Sequence, residues 1–174
     1  MRMNKEEKRR NTWSLALGVA LLPPIWAVLA PHLGVTTGAV ALICAGVYAA
    51  NGNKYEDCLK ITLGFLCGDI WAVAALFLMD RLPLPTDLAT FLTLFVMGGL
   101  AVLISTALER AVYLPAWLCG WAVGLTIMGP AGWGSLGSLP VQIGAAMAAG
   151  VVYVGAGVDL FQKKLLARRG QRKE

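Results

Sequence analysis

From Thr12 to Asn53, and again from Val112 to Val158, the chain carries no Asp, Glu, Lys or Arg. This feature restricts the fold more than any motif does. Soluble domains are about 25% charged, whereas this chain is 14% charged and 57% hydrophobic. Apolar runs of about 20 residues match the hydrocarbon core of a bilayer. The expectation is an all-α polytopic membrane protein, a single membrane domain over residues 1–174, with no room for a soluble domain.

Six apolar segments are expected, near 12–30, 35–51, 58–79, 86–107, 112–128 and 138–161. The stretches PHLG, NGNKYED, DRLPLPTD, LERA and GPAGWGS punctuate them. Basic tails occupy 1–11 and 162–174, and the three-helix halves run over 12–83 and 84–161. Six spans return both ends to one side. Fourteen of the fifteen Lys and Arg residues then share a face, with only Arg81 opposite. Lys and Arg accumulate on the cytoplasmic side, so both termini are expected there. Helical spans favour the bacterial inner membrane over the outer one. The basic start resembles a signal peptide. The apolar run is long for one, however, and holds Pro23 and Pro24, so a retained helix is expected.

The net charge of +5 sits in clusters beside the first and last segments. That placement suits anionic lipid headgroups rather than nucleic acid. His32 is the only histidine, so no histidine-rich metal site is expected. Cys44, Cys58, Cys67 and Cys119 form no CxxC pair and read as packing residues. No nucleophile–base pair or phosphate loop is present, so neither an enzyme nor a bound cofactor is expected.

Pro23-Pro24 falls inside the first segment and Gly98-Gly99 inside the fourth. Proline removes a backbone hydrogen bond, and an unpaired carbonyl in lipid costs several kcal/mol. A helix broken there and facing a polar cavity is one solution. Shifting the first half by 75 positions lays Pro23-Pro24 on Gly98-Gly99 and Cys44 on Cys119. A shift of 82 lays Gly68 on Gly150 and Trp71 on Tyr153. Three spans per half would make the halves a 3+3 inverted repeat, a recurring transporter design. Gly64/Gly68 and Gly120/Gly124 form GxxxG motifs that suit close packing of the third and fifth spans.

Asp69 lies near the centre of the third span, where a carboxylate costs about 2.5–3.5 kcal/mol. No Lys or Arg sits at its depth. It is therefore protonated, bonded to neutral groups of other helices, or open to water. It serves as a proton-coupling or cavity-lining group, or as interhelical glue. Trp26 and Trp71 follow helix-loosening elements and line a cavity or pack in the core. Gln142 faces a vestibule or bonds another helix. Asp159 and Lys163 are spaced as a helix-surface pair. Trp13, Trp117, Trp121 and Trp133 lie towards span ends, as interfacial anchors do.

The stretches PPIWAVLAP, GFLCGDIWAVA, LPAWLCGWAVGLTIMGPAGWG and LPVQIGAAMAAGVVYVGAGVDL resemble the YcdZ-like family of small bacterial inner-membrane proteins (domain of unknown function 1097). The resemblance covers most of residues 13–161 and implies a multi-pass inner-membrane protein, with no catalytic residue to carry over. The functional expectation is a homo-oligomeric channel or transporter for a small polar solute. Its path would be lined by Asp69, Trp26, Trp71, Pro23, Pro24, Gly98, Gly99 and Gln142. The rival expectation is a non-transporting subunit that anchors or assembles with another protein.

Overall fold

Backbone groups in hydrocarbon must find their partners within the protein, and this chain meets that demand chiefly with helices. The computed structural model describes residues 5–170. All regular elements among them are helical. They are α1 (Lys5–His32), α2 (Val40–Ala50), α3 (Cys58–Arg81), α4 (Thr86–Ala107), α5 (Leu114–Met128) and α6 (Leu139–Ala149). A π-helical segment, Gly150–Gly155, continues α6 directly into α7 (Ala156–Gly170). Five helices are long and apolar enough to cross a membrane, the last being the composite Leu139–Leu166. The protein is an all-α polytopic membrane protein.

The second segment differs from expectation. Its helix has 11 residues, about 16 Å at 1.5 Å per residue, roughly half a hydrocarbon core. The chain spends Leu33 to Ala39 on turns, with Gly34 at φ 77°. Those turns are held by side chains: Trp26 Nε1 donates to Gly38 O at 3.0 Å, and Gln142 Oε1 accepts from Thr36 N at 2.9 Å.

Neither expected break occurs. α1 continues through Pro23, Pro24 and Pro31, and α4 continues through Gly98-Gly99. The energetics explain both cases. Proline's fixed φ is already helical, so Pro23 and Pro24 delete two donors without leaving helical space. Ending the helix would instead free several groups on each side of the break, each costing several kcal/mol in lipid. The glycine penalty is only about 1 kcal/mol each. Gly98 is also used: a Trp121 ring carbon lies 3.8 Å from where its Cβ would be.

Two packed pairs form the core. α3 lies against α5, and α2 lies against α6 and the π segment. The first pair depends on glycine. A Cβ on Gly120 would sit 2.5 Å from Phe65 O, and one on Gly68 would meet Trp117 O and Gly120 C. The GxxxG expectation is met here. The second pair has the same character, since a Cβ on Gly150 would sit 2.5 Å from Ala41 O. Trp117 and Trp121 are buried in this core rather than anchored at an interface, while Trp13 is exposed. Their burial follows from the close α3–α5 approach, which puts both rings between helices.

α1 leans on α7, and Gln162 Nε2 donates to Asn11 O at 3.1 Å. Asn53 lines one groove with Leu15 and Val158. The start of α1, the loop after α2 and α7 therefore share one end of the bundle. Arg2, Arg172 and Lys173 of the basic tails lie outside the described residues.

Candidate functional site

Gly68 brings α3 onto the backbone of α5, and the next residue is Asp69. A residue at this crossing points between helices. Asp69 is 6% exposed, and its Oδ1 is buried with no hydrogen-bond partner. Glycines flank it on two other helices. A Cβ on Gly124 of α5 would lie 3.5 Å from Oδ1, and one on Gly144 of α6 would lie 3.5 Å from Oδ2. Around them are Ala72 Cβ, Met128 Cε and Leu66 Cδ2. The carboxyl thus occupies an apolar, glycine-backed slot where α3, α5 and α6 meet. Neither α5 nor α6 contains an Asp, Glu, Lys, Arg or His.

The other candidate residues lie elsewhere. Pro23 lines a groove of about 380 Å³ between α1, α2 and the last helix, together with Val19, Leu42, Val154 and Gly155. Val19 is one of the residues whose carbonyl loses its donor to the two prolines. Pro23 also borders a second groove of about 210 Å³ with Trp26, Pro31 and Thr36. Trp26 has its indole N–H committed to Gly38 O. Trp71 donates to Met97 O at 3.1 Å and meets Trp117 edge-on, with centroids 5.3 Å apart, so it ties α3 to α4 and α5. Gly98 sits beside Trp121, and Gly99 has no neighbour within 4 Å. Gln142 accepts from both Thr36 N and Thr36 Oγ1 and donates to Ser138 Oγ at 2.8 Å. It is a clamp on the α1–α2 turn.

These residues therefore fall into three groups: the Asp69 slot, the α1–α2 grooves with Gln142 clamped on Thr36 of the second one, and the α3–α4–α5 aromatic contact. Among the described residues no group of three His, Cys, Asp or Glu is placed to hold a metal ion.

Asp159 and Lys163 form the expected i,i+4 pair, with Lys163 Nζ at 2.7 Å, but Asp159 is buried at 5% exposure. It is not a surface carboxylate, because α1 and α2 cover that side of α7. Gly124 and Gly144 also escaped notice as partners of Asp69. Gly124 was legible as half of a GxxxG motif, but Gly144 carries no local signal.

The model of a family described as Protein of unknown function (DUF1097) matches residues 16–163. The chain belongs to this family. The match takes in the first apolar segment from residue 16, the other five whole, the Asp69 slot and both α1–α2 grooves apart from Leu15, and bears out the resemblance to domain of unknown function 1097. No curated protein and no solved structure matches the chain. Chemically, the slot offers one carboxyl with a free oxygen and, among the described residues, no ion-pair partner.

Proposed function

We propose that this DUF1097 protein is a channel or transporter for a small polar solute, without enzymatic chemistry. It would work as a homo-oligomer in a bacterial inner membrane, with both chain ends in the cytoplasm. The observation that carries the reading is Asp69 Oδ1, buried in a membrane span with no partner. Such a group is costly to insert, and interhelical glue would bond to something. An acid maintained without a partner is explained by a ligand that visits it.

The packing supports an inverted repeat. Gly68 meets Trp117 and Gly120 on α5, and Gly150 meets Ala41 and Cys44 on α2, at the same spacing of three residues. One turn later Ala72 meets Gly124, and Gly155 meets Tyr48. From Gly68 to Ala72 is four residues and from Gly150 to Gly155 five. The additional residue falls in the π segment, which keeps the second pair in the register of the first. Halves that repeat each other's packing while inserting in opposite directions are a transporter design.

Purified protein in liposomes, tested for swelling against a panel of small polar solutes, decides the matter. Solute entry that Asp69→Asn abolishes supports the reading. Absence of entry across the panel, from folded and inserted protein, overturns it. The second reading is a non-transporting membrane subunit. It is favoured by the scatter of Trp26, Trp71 and Gln142, each holding a structural hydrogen bond.

A further inference from the structure

A ligand for Asp69 must suit what surrounds it. Metal cations such as Ca²⁺ and Mg²⁺ take six or more oxygen ligands. The side-chain atoms that share the space in front of Gly124 and Gly144 with the Asp69 carboxyl are Ala72 Cβ, Met128 Cε and Leu66 Cδ2, and among the described residues no group of three His, Cys, Asp or Glu is placed to hold a metal ion. A polar solute held there would need further donors and acceptors, and α5 and α6 direct no charged residue at the slot. The remaining species that a lone carboxyl binds without help is the proton.

We propose that Asp69 is a proton-binding site, loaded and emptied in each transport cycle, so that solute movement is coupled to proton movement. This rests on the transport reading above. The step is an acid–base one: the carboxylate takes a proton from water on one side and returns it to water on the other.

The groups facing Asp69 leave it to titrate alone. α5 contributes only Cys119 among ionisable side chains, and α6 contributes none. α2 brings Cys44 and Tyr48, and the π segment brings Tyr153. α4 has Asp87, in its first turn. On α3 itself, Cys67 is two residues before Asp69 and Cys58 opens the helix; Lys60 is nine residues away, about 13 Å along the axis, and Asp80 is paired with Arg81 at the far end.

Gly144 supplies an unusually clean test. A Cβ there would lie 3.5 Å from Asp69 Oδ2 and 3.4 Å from Leu66 Cδ2, ordinary contact distances. Gly144→Ala therefore fits without moving a helix, yet covers the carboxyl from the α6 side. The measurement is infrared titration of the carboxyl C=O band in liposomes, with exchange into deuterated water followed in time. The expected band titrates with pH and is absent from Asp69→Asn. In Gly144→Ala it exchanges roughly tenfold more slowly, the effect of a barrier higher by about 1.4 kcal/mol. A band indifferent to pH and to deuterated water overturns the proposal. Solute entry in the same liposomes separates the two claims. Entry that Asp69→Asn abolishes, without proton exchange, removes the proton and keeps transport. No entry from wild type removes the transport reading and the coupling with it.

Discussion

Gly68→Ala should loosen the α3–α5 pair, and the size of the effect follows from the backbone. The added Cβ would fall on Trp117 O and lie 2.6 Å from Trp121 N and 2.9 Å from Gly120 C. All three are backbone atoms, so no rotamer change relieves the contact. Carbon–heavy-atom contacts are comfortable near 3.5–4.0 Å, so α5 must retreat by about 1 Å. Overpacking of this kind costs about 1–3 kcal/mol, occasionally more, and a backbone-on-backbone clash belongs at the upper end. Alanine returns about 1 kcal/mol of helix propensity. The net expectation is a loss of about 2 kcal/mol, roughly a thirtyfold fall in the folded ratio. Gly46→Ala is the control, because no heavy atom lies within 4 Å of its added Cβ; it should be neutral or slightly stabilising. The assay is thermal unfolding in detergent, followed by tryptophan fluorescence from Trp117 and Trp121 beside the site. Equal stability of the two variants would refute the close-packing argument.

Three other perturbations bear on separate parts of the molecule. Lys163→Met removes the partner of buried Asp159, so it should cost about 1–3 kcal/mol in thermal unfolding, more than the 0.2–1 kcal/mol of an exposed pair; a loss below that range would show that Asp159 reaches water. Gln142→Ala should expose the Thr36 amide, now 2.9 Å from Gln142 Oε1, and raise its hydrogen–deuterium exchange while leaving α3 unchanged. Deleting Val152 from the π segment should turn everything after it by about 100° on the helix. Asp159 and Val158 would leave the core, and Tm should fall sharply; an unchanged Tm would show that the π segment sets no register.

The span limits were legible because lipid leaves few choices. A charge-free run in lipid must be helical, and the fourth is bracketed by Pro83 and Pro85 before it and Glu109 and Arg110 after it, so Thr86–Ala107 falls where the residues place it. Close packing through Gly64, Gly68 and Gly120 was legible for a related reason, since a missing side chain shows in the sequence. Which residues share a cavity was not legible. Trp26 and Trp71 look alike in the sequence, each following a helix-loosening element. Their indoles bond Gly38 and Met97, carbonyls 12 and 26 residues away. Such partners are chosen by tertiary packing, which no local pattern encodes. Pro23-Pro24 misled for an energetic reason. The sequence shows two lost donors, but the decisive quantity is what a full break would expose. Asp159 misled because an i,i+4 spacing says that Lys163 is within reach and says nothing about which neighbours cover the acid.

The two halves differ where it matters most. Under the repeat alignment the counterpart of Asp69 is Val151, itself fully buried. Asp69 lies on an unbroken α-helix, whereas Val151 lies in the π segment. One half thus supplies a carboxyl on a straight helix, and the other supplies an apolar side chain on a helix with one residue too many for its turns. π segments interrupt the i→i−4 ladder and recur at functional sites. Val154 and Gly155 of this one line the groove that Pro23 borders, so the proline-weakened stretch of α1 and the irregular stretch of the last helix face each other. The parts of the bundle with the weakest backbone pairing are therefore together, on the α1–α2 side, and the acid is held by the closely packed α3–α5 pair. The proposed carrier would use that division: Asp69 held on the closely packed α3–α5 pair, and the irregular stretch of the last helix set apart from it on the α1–α2 side.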